Sequence, residues 1–237
     1  MGVPLVTDAQ VVGLISLGLV TTVAAGLAWS GRHRRPDGQV EPPGSPGSCG
    51  EHNLQRRYGS QDRARRFYRQ QVLDRLNEQM MSFITRQEMA WIATADSRGE
   101  CDCSFRAGPP GFVQVLDART LRYPEYRGNG IMASLGNILD NPHVGMIFLD
   151  FDQERIGLHI NGTARIVEAG ECNGVRPRIE RWVEVRVQEA YIHCRKHLPH
   201  LVKADGDGRA WGTDDARAKG GDYFGASCES RPWVADS

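Results

Sequence analysis

The stretch Phe105–Phe151 decides the reading of this chain. It runs F-R-A-G-P-P-G-F (105–112), then R-Y-P-E-Y-R-G-N-G (122–130), then S-L-G-N-I-L-D-N-P-H-V-G-M-I-F-L-D-F (134–151). Two arginines, Arg106 and Arg127, stand on loops shaped by glycine and proline. The second loop enters a short helix expected over 131–140, which Asn141-Pro142 ends, because the residue before a proline disfavours helical backbone. An almost wholly apolar strand, 143–151, follows. Guanidinium charge together with the unpaired amides and dipole of a helix start is what a phosphate dianion needs. The pattern therefore points to a pocket for a phosphorylated cofactor.

Outward from that stretch the periodicity is two. Trp91–Ala95 reads as a strand, Asp96-Ser97-Arg98-Gly99 as a turn, and Glu100–Arg106 as the return strand. Its alternation puts Cys101, Cys103 and Phe105 on one face, expected to point inward, and Asp102, Ser104 and Arg106 on the other. Phe112–Leu116 and Thr120–Tyr123 form a second pair around Asp117-Ala118-Arg119. Arg155–Glu168 is a longer strand expected to bend at Gly162, residues 169–180 a loop or short helix, and Trp182–His193 the last strand. On the N-terminal side, Gln61–Arg86 reads as one helix, with Phe67, Val72, Leu73, Leu76, Met80, Phe83 and Ile84 spaced by three and four. Antiparallel strands with a few helices imply a closed or partly closed barrel.

The 237 residues carry 29 basic and 29 acidic side chains and no net charge, which argues against an electrostatic nucleic-acid binder. Arginine is concentrated in residues 31–75, and those within the helix expected at 61–86 read as its solvated face. Six cysteines at irregular spacings in a chain of this length read as reduced thiols in a cytoplasmic domain. Residues 9–30 hold no charge and are rich in Val, Leu and Ile, with Trp29 at the end and Arg32, His33, Arg34 and Arg35 beyond. That predicts a membrane anchor with the remainder on the cytoplasmic side, against a cleaved signal peptide or an extended start. The organisation expected is an anchor segment at 1–35, a Pro/Gly/Ser-rich flexible linker at 36–60, a barrel with its N-terminal helix at 61–203 and a tail at 204–237.

Two further patterns bear on function. Gly128-Asn129-Gly130-Ile131-Met132-Ala133 satisfies G-x-G-x-x-A and opens a helix, with Asp150 downstream. The dinucleotide fingerprint also requires a buried parallel strand before the first glycine, and L-R-Y-P-E-Y-R is polar and holds Pro124. Tyr191–His200 (Y-I-H-C-R-K-H-L-P-H) gathers three histidines and a thiol, but no second ligand pair lies nearby, so no metal site is assigned.

Over roughly residues 60–225, and most strongly within 92–165, the chain resembles the flavin-binding split-barrel superfamily related to pyridoxamine 5′-phosphate oxidase. The resemblance rests on I-A-T-A-D-S-R-G (92–99), F-R-A-G-P-P-G-F-V (105–113), Y-R-G-N (126–129) with its helix, N-P-H-V-G-M-I-F-L-D-F (141–151) and R-I-G-L-H-I-N-G-T-A-R-I-V-E (155–168). It implies a homodimer of antiparallel six-stranded split β-barrels with peripheral helices and the cofactor in clefts between subunits. The cofactor is most often FMN, with the deazaflavin F420 or heme in some branches. Carried over, Arg106, Arg127, Asn129 and Ser134 are the phosphate ligands, Ser104 and Phe105 lie along the flavin ring, and Tyr126 and Gly128 complete the site, while the segment 191–200 lines the cleft and His193 or Lys196, the candidate catalytic residues, touches the flavin or a substrate anion. This implies an FMN-dependent oxidoreductase acting on a small molecule, with a non-catalytic flavin or heme binder, or an F420-dependent reductase on the same fold, as the alternatives. The Ser-Arg-Lys helix opening of the authentic oxidases is absent, as is their C-terminal Arg-Leu-Ser/Ala-Pro. The resemblance thus carries the cofactor and not the substrate.

Overall fold

The computed structural model describes residues 46–169, 179–204, 213, 215 and 217–231. The apolar run at 9–30 lies outside them. Among the described residues no helix is long and apolar enough to cross a membrane.

Three helices come first: α1 (Cys49–Arg57), α2 (Gln61–Gln71) and α3 (Glu78–Arg86). Helix α1 falls in the segment expected as a linker. Its signal is local: Ser48 accepts from the amide of Glu51, and Glu51 accepts from the amide of Ser48, a reciprocal capping box. The single helix expected over 61–86 is two. Between them Leu73 leaves helical geometry and exchanges two backbone hydrogen bonds with Ala190, at 3.0 and 2.8 Å, while the amide of Leu76 donates to Ala118. Backbone groups that a strand satisfies have no need of a helix. Asn77 then caps α3 by accepting from the amide of Met80.

The strands are β1 (Met89–Ala95), β2 (Cys101–Ala107), β3 (Gln114–Asp117), β4 (Thr120–Tyr126), β5 (His143–Asp150), β6 (Ile156–Glu168) and β7 (Ile179–His193), with helix α4 (Ala133–Asp140) between β4 and β5. They make one sheet of seven strands, in the order β2-β1-β5-β6-β7-β4-β3, where six strands were expected. The edge strand β3, read from the sequence as 112–116, is four residues long, pairs only with β4 and slips register beside Asp117. Every ladder is antiparallel, so β4 feeding Gly128 and α4 is no parallel dinucleotide strand. Pro124 is tolerated inside β4 because β3 pairs no further than Arg122 on that side.

The β1–β2 turn has a visible local cause. Between β1 and β2 the Asp96 carboxylate accepts from the amides of Arg98 and Glu100, at 2.8 and 2.9 Å, and Gly99 takes φ +85°. The long strands β6 and β7 carry both halves of the sheet: β6 pairs with β5 along 156–163, and β7 with β4 along 179–186. The bend expected at Gly162 is there, as a register shift between Asn161 and Gly162. Inward-facing Ile92, Phe148, Ile160, Leu121, Val183 and Val185 form the core, which α3 covers with Phe83 and Ile84 and α4 with Leu135 and Ile138.

At Gly162 a Cβ would stand 2.1 Å from the carbonyl oxygen of Arg186, whereas at Gly136 on the exposed side of α4 it meets nothing within 4 Å. Gly162→Ala should lower the free energy of unfolding by roughly 1–3 kcal/mol, as overpacking does. Gly136→Ala should raise it by about 0.5–1 kcal/mol through helix propensity. Denaturant unfolding of both variants measures this, and a harmless Gly162→Ala would refute the account of the bend.

Candidate functional site

Asp102, Ser104 and Arg106 share one face of β2, and that face turns toward α4 and β4. The expectation for the opposite face fails: Cys101, Cys103 and Phe105 are exposed, Phe105 by 51%. Alternation alone fixes which residues share a face, not which face is inward. Here β2 is an edge strand whose polar side closes the gap in the barrel. All five described cysteines, Cys49, Cys101, Cys103, Cys194 and Cys228, are free thiols.

The polar face is densely bonded. Ser104 Oγ donates to Asp102 Oδ2 at 2.7 Å, Ser134 Oγ reaches the same oxygen at 2.8 Å, and the two hydroxyls stand 2.8 Å apart. Ser134 belongs to the first turn of α4 and is buried. The hydrogen bonds from Ser104 and Ser134, opposed by burial and aided by the charge of Arg106, hold the Asp102 carboxyl below its ordinary range. Arg106 donates from Nε and Nη2 to Glu125 Oε1 of β4, at 2.9 and 2.7 Å, in a largely buried ion pair. Its guanidinium also lies 6.0 Å from the ring centre of Tyr123. The Tyr123 hydroxyl is buried with no hydrogen-bond partner among the described residues, a deficit of about 1–3 kcal/mol.

Around this cluster opens a cleft of about 1080 Å³ between β2, the end of β4 and the start of α4. All eight residues expected at the cofactor line it: Ser104, Phe105, Arg106, Tyr126, Arg127, Gly128, Asn129 and Ser134. So do Asp102 and Glu125, which sequence reasoning did not single out as site residues. Asp102 shared the alternation of Ser104 and Arg106, a signal that was available. Glu125 had none, because its role comes from a partner 19 residues away.

The entrance to α4 is built by unusual backbone. Gly130 has φ +86° and Met132 φ +56°, and Asn129 Oδ1 accepts from the amide of Ile131 at 3.0 Å. Helix α4 starts at Ala133, two residues later than expected, and no side chain caps it. Its leading amides therefore have no side-chain oxygen to accept from them. The cleft lining carries four cationic side chains, Arg106, Arg127, Arg181 and Lys219, against three carboxylates, Asp102, Glu125 and Glu180.

These features test the fit of a phosphorylated flavin. An uncapped helix start beside Arg127 suits a phosphate. The two serines suit it less directly, since each hydroxyl has one proton and Asp102 already draws on both. Arg106 is likewise committed to Glu125. The residues present fit a ligand whose anion lies at the loop 127–132 and whose polar ring edge meets the Asp102, Ser104 and Ser134 cluster.

His193 and Lys196 do not line this cleft. They lie at and beyond the C-terminal end of β7, while β7 borders the cleft with Glu180 and Arg181 near its start. Twelve residues of strand separate the two ends, roughly 40 Å if straight. His193 Nδ1 instead stands 3.0 Å from Nε2 of His159, whose ring stacks on Tyr191 at 4.8 Å. Burial, with the charge of His193 second, lowers the pKa of His159.

The sequence model of the family described as "Pyridoxamine 5'-phosphate oxidase" matches residues 76–198. No curated protein matches the chain. Among solved structures, HupZ of Group A Streptococcus is 22% identical over 49% of this chain and 93% of its own, with a TM-score of 0.40. HutZ, described as the heme storage protein of Vibrio cholerae, is 15% identical over 50% and 94%, with a TM-score of 0.35. A protein described as an F420 reductase is 18% identical over 48% and 98%, with a TM-score of 0.36.

A carboxyl whose folded pKa lies below its unfolded value adds stability that is present above the unfolded pKa, about 4, and is lost as pH falls through the folded one. The stability of the wild type should therefore fall with pH below about 4, and Asp102→Asn should make that fall shallower. Unfolding midpoints measured from pH 5 to pH 2 test this, and superimposable slopes would show that Asp102 is not held as described.

Proposed function

Because the chain belongs to the pyridoxamine 5′-phosphate oxidase family, we propose that it is an FMN-dependent oxidoreductase acting on a small molecule. One observation supports this reading above the others. Eight residues expected at a flavin nucleotide, from three separate elements of the sequence, line one cleft. In the proposed complex Arg127 and the first amides of α4 hold the phosphate. Ser104 and the Asp102 cluster face the ring, whose N–H and carbonyl groups need acceptors and donors together, while Phe105, on the other face of β2, borders the cleft at the subunit seam. The flavin supplies the hydride chemistry, so the protein's part is grip, orientation and exclusion of water.

F420 on the same barrel would use the same phosphate end. Heme is less suited to this cleft. Among the described residues that line it there is no histidine and no cysteine, which leaves Tyr126 and Met132 as axial ligands.

We further propose a homodimer through the outer face of β2, β1 and β5. The pairing aligns Phe105, Trp91 and Ile147 in one cross-strand row and the small residues Cys103, Ala93 and Gly145 in the next. Phe105, Ala93 and Cys103 are exposed in a single protomer, and an apolar, flat sheet face of this kind suits a second copy of itself.

Three measurements test these readings. Purified protein should show flavin absorption that bleaches with a nicotinamide donor and returns in air. Arg127→Ala should weaken FMN binding roughly tenfold or more, the worth of a charge-assisted contact. Arg98→Ala, in the β1–β2 turn, should leave it unchanged, and equal effects would remove Arg127 from the site. For the dimer, sedimentation should show two copies in the wild type and one in Ala93→Arg. A monomeric wild type would end that proposal.

A further inference from the structure

A second cavity, of about 530 Å³, lies on the opposite side of β6 and β7 from the core, beneath α1 and α2. Its volume falls in the range of small-molecule sites. Nothing in the flavin reading uses it. Its walls are aromatic: Phe67 and Tyr68 from α2, and Tyr191 from the outer face of β7, which Phe67 meets edge-on at 6.1 Å. Two carboxylates enter from opposite sides, Glu51 from α1 and Glu189 from β7.

Both carboxylates are oriented by neighbours. Tyr68 donates its hydroxyl to Glu51 Oε2 at 3.2 Å while accepting from Gln55 at 2.7 Å. Asn161 donates to Glu189 Oε2 at 3.0 Å. The groups converge. Burial first, and then the fields of Glu51 and Glu189 together, raise the hydroxyls of both Tyr68 and Tyr191 above their ordinary range. The chain is also fitted to close this space. Gly47 has φ +89°, and a Cβ there would lie 2.5 Å from the Tyr68 hydroxyl oxygen, so a larger residue would push the wall outward.

Among the described residues of the wall there are two carboxylates, Glu51 exposed and Glu189 half-buried, and one cationic group, the exposed Arg63. Aromatic faces and carboxylates both attract a positive group, and both repel an anion. We propose that this cavity binds an organic cation: an ammonium group carried on an apolar or aryl body, the ammonium between Glu51 and Glu189 and the body against Phe67 and Tyr191. The site is separate from the flavin cleft, so its test needs no flavin.

Calorimetric titration of the full chain with phenethylamine, phenethyl alcohol and phenylacetate reads it directly. The amine should bind at least tenfold more tightly than the alcohol or the acid. Glu189→Gln keeps the shape, and Glu51→Gln keeps the capping box; each should weaken the amine by roughly tenfold or more, in the range of a charge-assisted contact. Glu184→Gln, elsewhere on β7, should leave it unchanged. Equal affinity for amine and alcohol overturns the proposal, as does preference for the acid or no binding of the amine at millimolar concentration. Those comparisons use unaltered protein, so misfolding of a variant does not shield the idea.

Discussion

The ion pair between Arg106 and Glu125 is the contact on which the rest depends. A seven-stranded sheet in the order observed has two edges, β2 and β3, and among the described residues no backbone ladder joins them. Side chains do the joining. Arg106 ties β2 to β4, and Asp102 with Ser104 ties β2 to Ser134 of α4. With Arg106 only 20% and Glu125 only 13% exposed, neither charge is well hydrated, and each requires the other. Removing one would strand its partner in a poorly solvated place, which costs far more than the pair contributes net. The pair therefore specifies the closure more than it strengthens it.

Closing a barrel with side chains leaves a space that backbone would have filled, and that space is the cleft. Its polarity follows from the same contacts. Carboxylates and hydroxyls are concentrated on β2 and the end of β4, while Arg127 and the uncapped start of α4 lie on the loop beyond. A ligand with an anionic end and a ring edge of mixed donors and acceptors matches this division. A simple dianion alone would meet Asp102 and Glu125 as well as the cations. The Tyr123 hydroxyl, which has no hydrogen-bond partner among the described residues, lies by Arg106 at the place where the closure is made.

Much of the fold was written in local sequence. Asp96-Ser97-Arg98-Gly99 gave its turn because Asp96 can accept from the amides two and four residues on. Asn141-Pro142 ended α4, and Gly162 marked the bend of β6. What sequence left open was decided by distant partners. Leu73 was drawn out of a helix by Ala190 of β7, more than a hundred residues later. Cys101 and Cys103 looked like core because alternation is blind to which side the barrel closes on. Helix α1 is a different case, since the Ser48–Glu51 capping box was legible and the Pro/Gly-rich context hid it. In the site, residue types drew attention to the cations and hydroxyls. The carboxylates that hold them, Asp102 and Glu125, emerge only when β2, β4 and α4 are brought together.

The most direct test of the central claim is to follow backbone amide resonances of the isotope-labelled protein while FMN is titrated in. Perturbations concentrated at Ser104–Arg106 and Arg127–Leu135 are the predicted result, with the largest at the first amides of α4. Perturbations centred elsewhere, or none at saturating FMN, would contradict the assignment of this cleft to a flavin phosphate.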